Sequence, residues 1–180
     1  MITPTLKTDR FIIRAFKKCD LEYFSKYRSL PEVAKYQSWT DFSYTDSLAL
    51  FEKIDYSKFA ILGQWYQLAI CIRESNILVG DLAVHFVDKS QVEIGFTTAP
   101  KYQKQNVASE AVSALTTYLF EKLNIHRITA KTDARNIASY RLLEKLGFRR
   151  EAHFHQNIFF KGSWSDEYLY ALLHSEYNNL

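Results

Sequence analysis

Apolar residues recur along this chain in two rhythms, short runs near period two and longer stretches at three- and four-residue spacing. Residues 11–16 alternate weakly and predict a first strand, while 20–30 and 47–56 predict helices. Pro31, Ser38 and residues 40–43 mark loops between them. Residues 65–73 and 78–87 are extended runs joined by Glu74-Ser75-Asn76, the pattern of a hairpin. Residues 92–98, rich in β-branched and aromatic side chains, predict the next strand, which Pro100 ends. Val107, Ala111, Ala114, Leu115, Tyr118, Leu119 and Leu123 then define one face of a helix over 107–123. A strand at 127–133 follows, and a helix over 136–146 that Asn136 can cap and Gly147 can end. Residues 148–160 and 167–173 predict a final pair of strands. Strands first in hairpins and later alternating with helices indicate a mixed sheet in an α+β layer.

Composition changes this picture little. A length of 180 residues with 47% hydrophobic content suits a single domain over 1–180 with a substantial core. Five glycines and three prolines leave no sign of a long linker. The net charge of +3 comes without a block of five basic residues, so a nucleic-acid-binding surface is disfavoured despite a pI near 8.7. Cys19 and Cys71 lie far apart without metal-ligand spacing, and both read as packed thiols. Neither a signal-like leader nor a membrane-length apolar window is present, so the expected compartment is the cytoplasm.

The chemistry concentrates where a strand gives way to a helix. A short polar loop in that position directs several backbone N–H groups one way and adds the positive end of the helix dipole, which suits a phosphate. Here that segment runs Tyr102-Gln103-Lys104-Gln105-Asn106-Val107-Ala108-Ser109-Glu110. An ordinary crossover without a ligand would look similar, so the loop alone does not decide the function.

The second half supplies the rest. Gln103 to Ala108 resembles the Q/R-x-x-G-x-G/A cofactor loop of the GCN5-related N-acetyltransferase superfamily. Asn136, Ser139 and Glu144-Lys145-Leu146-Gly147-Phe148 resemble the signature of its RimJ/RimL-type branch, which includes ribosomal-protein N-terminal acetyltransferases. Residues 6–14 and the closing Gly162, Trp164, Asp166 and Tyr170 are similar to that branch as well. The resemblance implies the acyl-CoA N-acyltransferase fold: a mixed, mostly antiparallel central sheet, flanked by helices and splayed between its fourth and fifth strands. It implies transfer of an acetyl group from acetyl-coenzyme A to a primary amine, by direct attack and with no metal. A catalytically weak sensor or adaptor that binds acetyl-coenzyme A is the alternative.

By the same resemblance, the pyrophosphate of the cosubstrate falls to Gln103, Lys104, Gln105, Asn106, Val107, Ala108 and Ser109. Its pantetheine arm falls to Phe96, Thr97 and Thr98 by strand addition, and to Asn136. The family usually has Gly where this chain has Asn106, and commonly where it has Lys104. Asn tolerates a left-handed backbone better than most residues; Lys104 either contacts a phosphate or points to solvent. Gly95 predicts a bulge or a close backbone approach, and in the family such a bulge aims an N–H at the thioester carbonyl.

A general base is needed because an alkyl ammonium must lose a proton before attack. Glu93 is the candidate, two residues before Gly95 on the same strand face; its other reading is a strand carboxylate paired with Lys or Arg. His85 is a second candidate base. Many acetyltransferases place a Tyr proton donor where this chain has Leu143, so Ser139 is expected to serve the leaving thiolate. Tyr140 points about 100° away from it, and Glu110 reads as an acid that complements the helix dipole. The acceptor, whether a protein N-terminus, a polyamine or a small molecule, would enter among Trp39, Phe42, Tyr44, His155 and Trp164, with Asp41, Asp46 and Asp55 as acids that could attract it. No membrane partner is expected, nucleic acid is disfavoured, and a homodimer is left open.

Overall fold

The structure, a computed structural model, describes residues 1–177. In chain order the elements are β1 (Leu6–Lys7), β2 (Phe11–Ala15), α1 (Leu21–Arg28), α2 (Pro31–Ala34), α3 (Tyr44–Lys53), β3 (Trp65–Ile72), β4 (Leu78–Phe86) and β5 (Gln91–Thr98). They continue with α4 (Val107–Glu121), β6 (Arg127–Asp133), α5 (Ile137–Lys145), β7 (Arg149–Phe160), β8 (Ser163–Leu173) and α6 (His174–Tyr177). The strands form one eight-stranded sheet in the order β1-β2-β3-β4-β5-β6-β8-β7. Every neighbouring pair is antiparallel except β5 and β6.

Both faces of the sheet centre are covered, which explains why residues 68–71 read as an unbroken apolar run. Leu68 and Ile70 join the cluster that holds Val107, Ala111, Leu115 and Leu119 of α4. Ala69 and Cys71 point the other way, into a cluster with Leu21, Phe24 and Tyr27 of α1. Successive strand residues therefore serve two cores. Burial pushes the Cys71 thiol up to about 11. Cys19, expected to be packed, is instead exposed, because residues 18–20 form a 3₁₀ turn at the surface. Alkylation near pH 8 is expected to label one thiol per folded chain, at Cys19, and a second only after unfolding. Intact-mass spectrometry checks this; two labels on the folded chain would contradict it.

The parallel pair is the feature that shapes the site. Strand β5 meets β6 only at Gln91 with Arg127, Val92 with Ile128 and Glu93 with Thr129. Beyond Glu93 the two separate: β5 stays paired with β4 as far as Gly80 opposite Thr98, while β6 follows β8 as far as Asp133 opposite Glu167. Residues 94–98 are thereby left without a partner on the β6 side. The expected splay lies between these strands, and the two-residue β1 shifts their numbering by one.

Three local expectations need correction. Gly95 makes no bulge: it pairs in regular register with Ala83, and a Cβ there would sit 3.6 Å from the Ala83 Cβ, an ordinary contact. The glycine that permits close approach is Gly80, where a Cβ would lie 2.4 Å from the Thr97 carbonyl oxygen. Helix α3 begins at Tyr44 rather than 47, because Ser43 caps it; the Ser43 Oγ accepts from the Asp46 N–H at 3.2 Å and the Asp46 carboxylate accepts from the Ser43 N–H at 2.7 Å. Pro31 opens the short helix α2 rather than a loop. Among the described residues no helix is long and apolar enough to cross a membrane.

Candidate active site

Three cavities meet where β5 and β6 part, and Gln37 and Phe96 line all of them. The first is a groove of about 550 Å³. It runs from Phe96, Thr97 and Thr98 over Gln103, Lys104 and Asn106 to Val107, Ala108 and Ser109 in the first turn of α4. Asn136 and Ser139 close its far wall, and Arg141 and Lys145 add two cations to that of Lys104. Of the residues assigned to the cosubstrate from sequence, Gln105 alone does not line this groove. Its side-chain amide turns back to donate to the Lys101 carbonyl at 3.0 Å.

Local sequence explains the shape of the loop. Lys104 and Asn106 both have φ of 60°, the left-handed region that favours glycine. These are the two positions where the resembling family carries Gly, and the backbone conformation there is one that glycine adopts without strain. Asn106 makes no side-chain cap to α4; its Oδ1 instead accepts from the Lys145 ammonium at 3.4 Å. The opening N–H groups of a 15-residue helix are thus left uncapped by the chain's own side chains, facing the groove. Gln103 donates to the Thr98 carbonyl at 3.2 Å, which ties the loop to the end of β5.

A left-handed Lys costs roughly 1–2 kcal/mol that a glycine avoids, partly offset by the greater freedom of an unfolded glycine. Lys104→Gly is therefore expected to stabilise the fold by about 0.5–1 kcal/mol. Thermal denaturation checks this; a drop in Tm would show that the Lys104 side chain makes contacts worth more than the strain.

Helix α5 is fixed at both ends. The Asn136 Oδ1 accepts from the Ser139 N–H at 3.3 Å, so its capping role is present and its amide nitrogen stays available. Asp133, just upstream, is held below the usual carboxylate range; burial raises it, but the Arg135 side chain and backbone N–H outweigh that. At the other end the Tyr170 hydroxyl donates to the Glu144 carboxylate at 2.7 Å, joining α5 to β8. Leu143 is fully buried and Tyr140 packs edge-on against Tyr168, so neither faces the groove. Glu110 binds the Arg10 guanidinium at 2.7 Å. Partial burial raises the Glu110 carboxyl, but hydrogen bonds from Thr8 and Arg10 outweigh it and leave it below the ordinary value.

The second cavity, about 200 Å³, lies in the splay itself. Ile94 and Gly95 form one wall, Ala130, Lys131 and Thr132 the other, and Asn136 and Ser139 the end toward the groove. The third, about 580 Å³, lies on the opposite face of β3, β4 and β5, under α1 and the loop before α3. Glu93, Gly95 and Thr97 face it from β5, with Gln67, Asp81 and Ala83 beside them. Glu93 lines the third cavity and Ser139 the first two, and the second and third cavities share Gln37, Ile94, Gly95, Phe96 and Lys131. Among the described residues Glu93 forms no ion pair, and Lys131 lines the same cavity. His85 sits opposite Glu93 in register, but its ring stacks on Trp65 at 4.7 Å and it lines none of the three cavities.

Of the residues expected around the acceptor, Trp39, Phe42, Asp41 and Asp46 line the third cavity. Tyr44 and Trp164 are exposed and His155 stands on the last hairpin, none of them lining it. Asp55 is engaged with Ser57 and Lys58.

Sequence reasoning missed the charged cluster beneath this cavity. Asp81 is 1% exposed and accepts from the Tyr27 hydroxyl, from the Gln67 amide and, at 3.1 Å, from the Arg28 guanidinium. Burial raises the Asp81 carboxyl and Arg28 opposes it; burial also raises Tyr27. The Arg28 guanidinium also lies 4.0 Å from the centre of the Trp39 ring and 4.4 Å from that of Phe24. A lone Asp within the apolar run of β4 was the available signal.

Comparison with known proteins gives this geometry a family. Residues 10–149 match the acetyltransferase (GNAT) domain. The chain belongs to the GNAT acetyltransferases. It is 33% identical over 177 residues to the uncharacterized N-acetyltransferase YnaD of Bacillus subtilis (strain 168), covering 96% of this chain and 99% of the relative. A crystal structure of a GNAT-family acetyltransferase from Bacillus anthracis superposes with a TM-score of 0.87 at 34% identity, over 96% of this chain and all of that one. The fold is shared with a spermidine N-acetyltransferase from Vibrio cholerae, solved with CoA and spermine: TM-score 0.82, 20% identity, 96% of this chain and 100% of the other. This GNAT chain is an acetyl-coenzyme A-dependent N-acetyltransferase, and its reaction moves an acetyl group onto an amine.

Proposed function

We propose that residues 1–180 act as one cytoplasmic catalytic domain that acetylates a cationic primary amine, with the cosubstrate in the groove between β5, α4 and α5. The observation that carries this reading is the coincidence, in one groove, of an unpaired strand edge at 96–98 and an uncapped helix start at 107–109. A pantetheine arm can add to the first as a strand would. A diphosphate suits the second, where N–H groups and the helix dipole converge. Lys104, Arg141 and Lys145 supply charge for the phosphates.

The acceptor enters from the third cavity, whose aromatic Trp39, Phe42 and Trp65 and acidic Asp41, Asp46 and Glu93 suit an ammonium group. Glu93 takes a proton from it, directly or through water. The neutral amine attacks the thioester carbonyl carbon, the C–S bond breaks, and the proton that the attacking nitrogen sheds as the amide forms reaches the leaving thiolate by way of the Ser139 hydroxyl. An α-amino group, with an ordinary pKa of about 8, needs less help at the first step than an alkyl amine near 10.

Incubation with acetyl-coenzyme A and a panel of peptide N-termini, polyamines and small amines tests this. Steady release of free thiol, with one acetyl group added to an acceptor by mass spectrometry, is expected. Binding of acetyl-coenzyme A without turnover on any amine would instead make the protein a sensor.

A further inference from the structure

A second cluster of chemistry-bearing side chains stands on the last hairpin, and the acetyl-transfer reading does not use it. Phe154 pairs with Glu167 and Ile158 with Ser165, so residues 155, 156 and 157 of β7 all oppose a single residue of β8, Asp166. This three-against-one bulge, with Gln156 at φ 46°, is a built feature of the strand. It brings the Nε2 of His153 to 2.7 Å and the Nδ1 of His155 to 3.2 Å from the same oxygen, Asp166 Oδ2.

We propose that His153, His155 and Asp166 form a binding site for a divalent transition-metal ion of the zinc class. Two imidazoles and a carboxylate are a ligand set such ions favour. Their three donor atoms lie within 4.8 Å of one another. A tetrahedral zinc site, with bonds of about 2.0–2.2 Å, sets its donors roughly 3.4 Å apart. The two contacts to Oδ2 are already near or inside that spacing, and both rings are exposed enough to turn and complete it.

The carboxylate is also oriented as a ligand would be. The Gln156 N–H occupies Asp166 Oδ1 at 2.9 Å and leaves Oδ2 to the rings. Exposure of the cluster leaves a fourth position for water. The ion would stiffen the hairpin where it borders the splay, since the Asp166 carbonyl accepts from Ala134 at 3.0 Å and Arg135 joins Ser165 to Asp133.

The test is a calorimetric titration of Zn²⁺ into tag-free protein carrying Cys19→Ser, which removes the exposed thiol as a competing ligand. One equivalent with a Kd of about 1 μM or tighter, and a rise in Tm with added Zn²⁺, is expected. His153→Ala combined with His155→Ala, and separately Asp166→Asn, should each weaken binding at least about tenfold. Should the double variant misfold, His155→Ala alone serves, because that ring is 73% exposed and carries no packing role in the core. Millimolar binding in the parent, or affinity unchanged in the variants, would overturn the proposal.

Discussion

Glu93→Gln is expected to lower kcat by about 10²- to 10³-fold while leaving the affinity for acetyl-coenzyme A unchanged. The amide keeps the shape of the side chain and its place on β5 opposite His85, but it cannot accept a proton from an ammonium. Glu93 faces the third cavity, away from the groove assigned to the cosubstrate, so the two readouts separate. Ser139→Ala, at the head of α5, should give a smaller loss of kcat, because water can also protonate a thiolate. Steady-state kinetics with a fixed acceptor, together with calorimetry of coenzyme A, checks both. An unchanged kcat in Glu93→Gln would move the base elsewhere and spare the fold.

Asp81→Ala is expected to destabilise the protein by about 3–5 kcal/mol. The substitution leaves the Arg28 guanidinium buried without its counter-charge, and it strips the Tyr27 hydroxyl and Gln67 amide of their acceptor. An unpaired buried charge costs more than a well-formed pair contributes, so the single variant should suffer more than one in which Arg28 is replaced as well. Asp81→Asn should fall between them, keeping hydrogen-bond capacity while losing the charge. Urea denaturation measures all three, and a loss under about 1 kcal/mol for Asp81→Ala would show that water or rearrangement satisfies Arg28. The same cluster forms the floor beside Glu93, so these variants should also disturb the acceptor cavity.

What the sequence reveals about this protein follows a physical divide. The strand–loop–helix unit at 92–121 is local, and its polar loop, helix face and left-handed Asn106 are legible within thirty positions, whereas the left-handed backbone at Lys104 is not. The N-cap of α5 is legible for the same reason. By contrast, the Asp81 cluster joins residues 14, 53 and 54 positions apart, and no spacing rule connects them. Two strand glycines, Gly80 and Gly95, look alike in sequence; only the register shows that it is Gly80 whose neighbouring carbonyl leaves no room for a Cβ.

The last two strands are legible as strands, β7 almost to its ends, but the start of β8 and the pairing between them are not. Strand β7 is exposed along most of both faces, so it carries no alternation, and the polar start of β8 at Ser163 reads as loop. The bulge that gathers His153, His155 and Asp166 is likewise invisible until the pairing is known. The capping box at Ser43 and Asp46 was available as a pattern, a Ser followed three residues later by an acid, but it lies in a polar stretch that otherwise resembles a loop.

A crystal structure of the protein grown with acetyl-coenzyme A tests the main proposal most directly. The account predicts diphosphate oxygens about 2.7–3.2 Å from the backbone nitrogens of residues 107–109, and the pantetheine arm beside the free edge of residues 96–98. Density for the cosubstrate at any other place, or a groove that stays empty at saturating concentration, would contradict it.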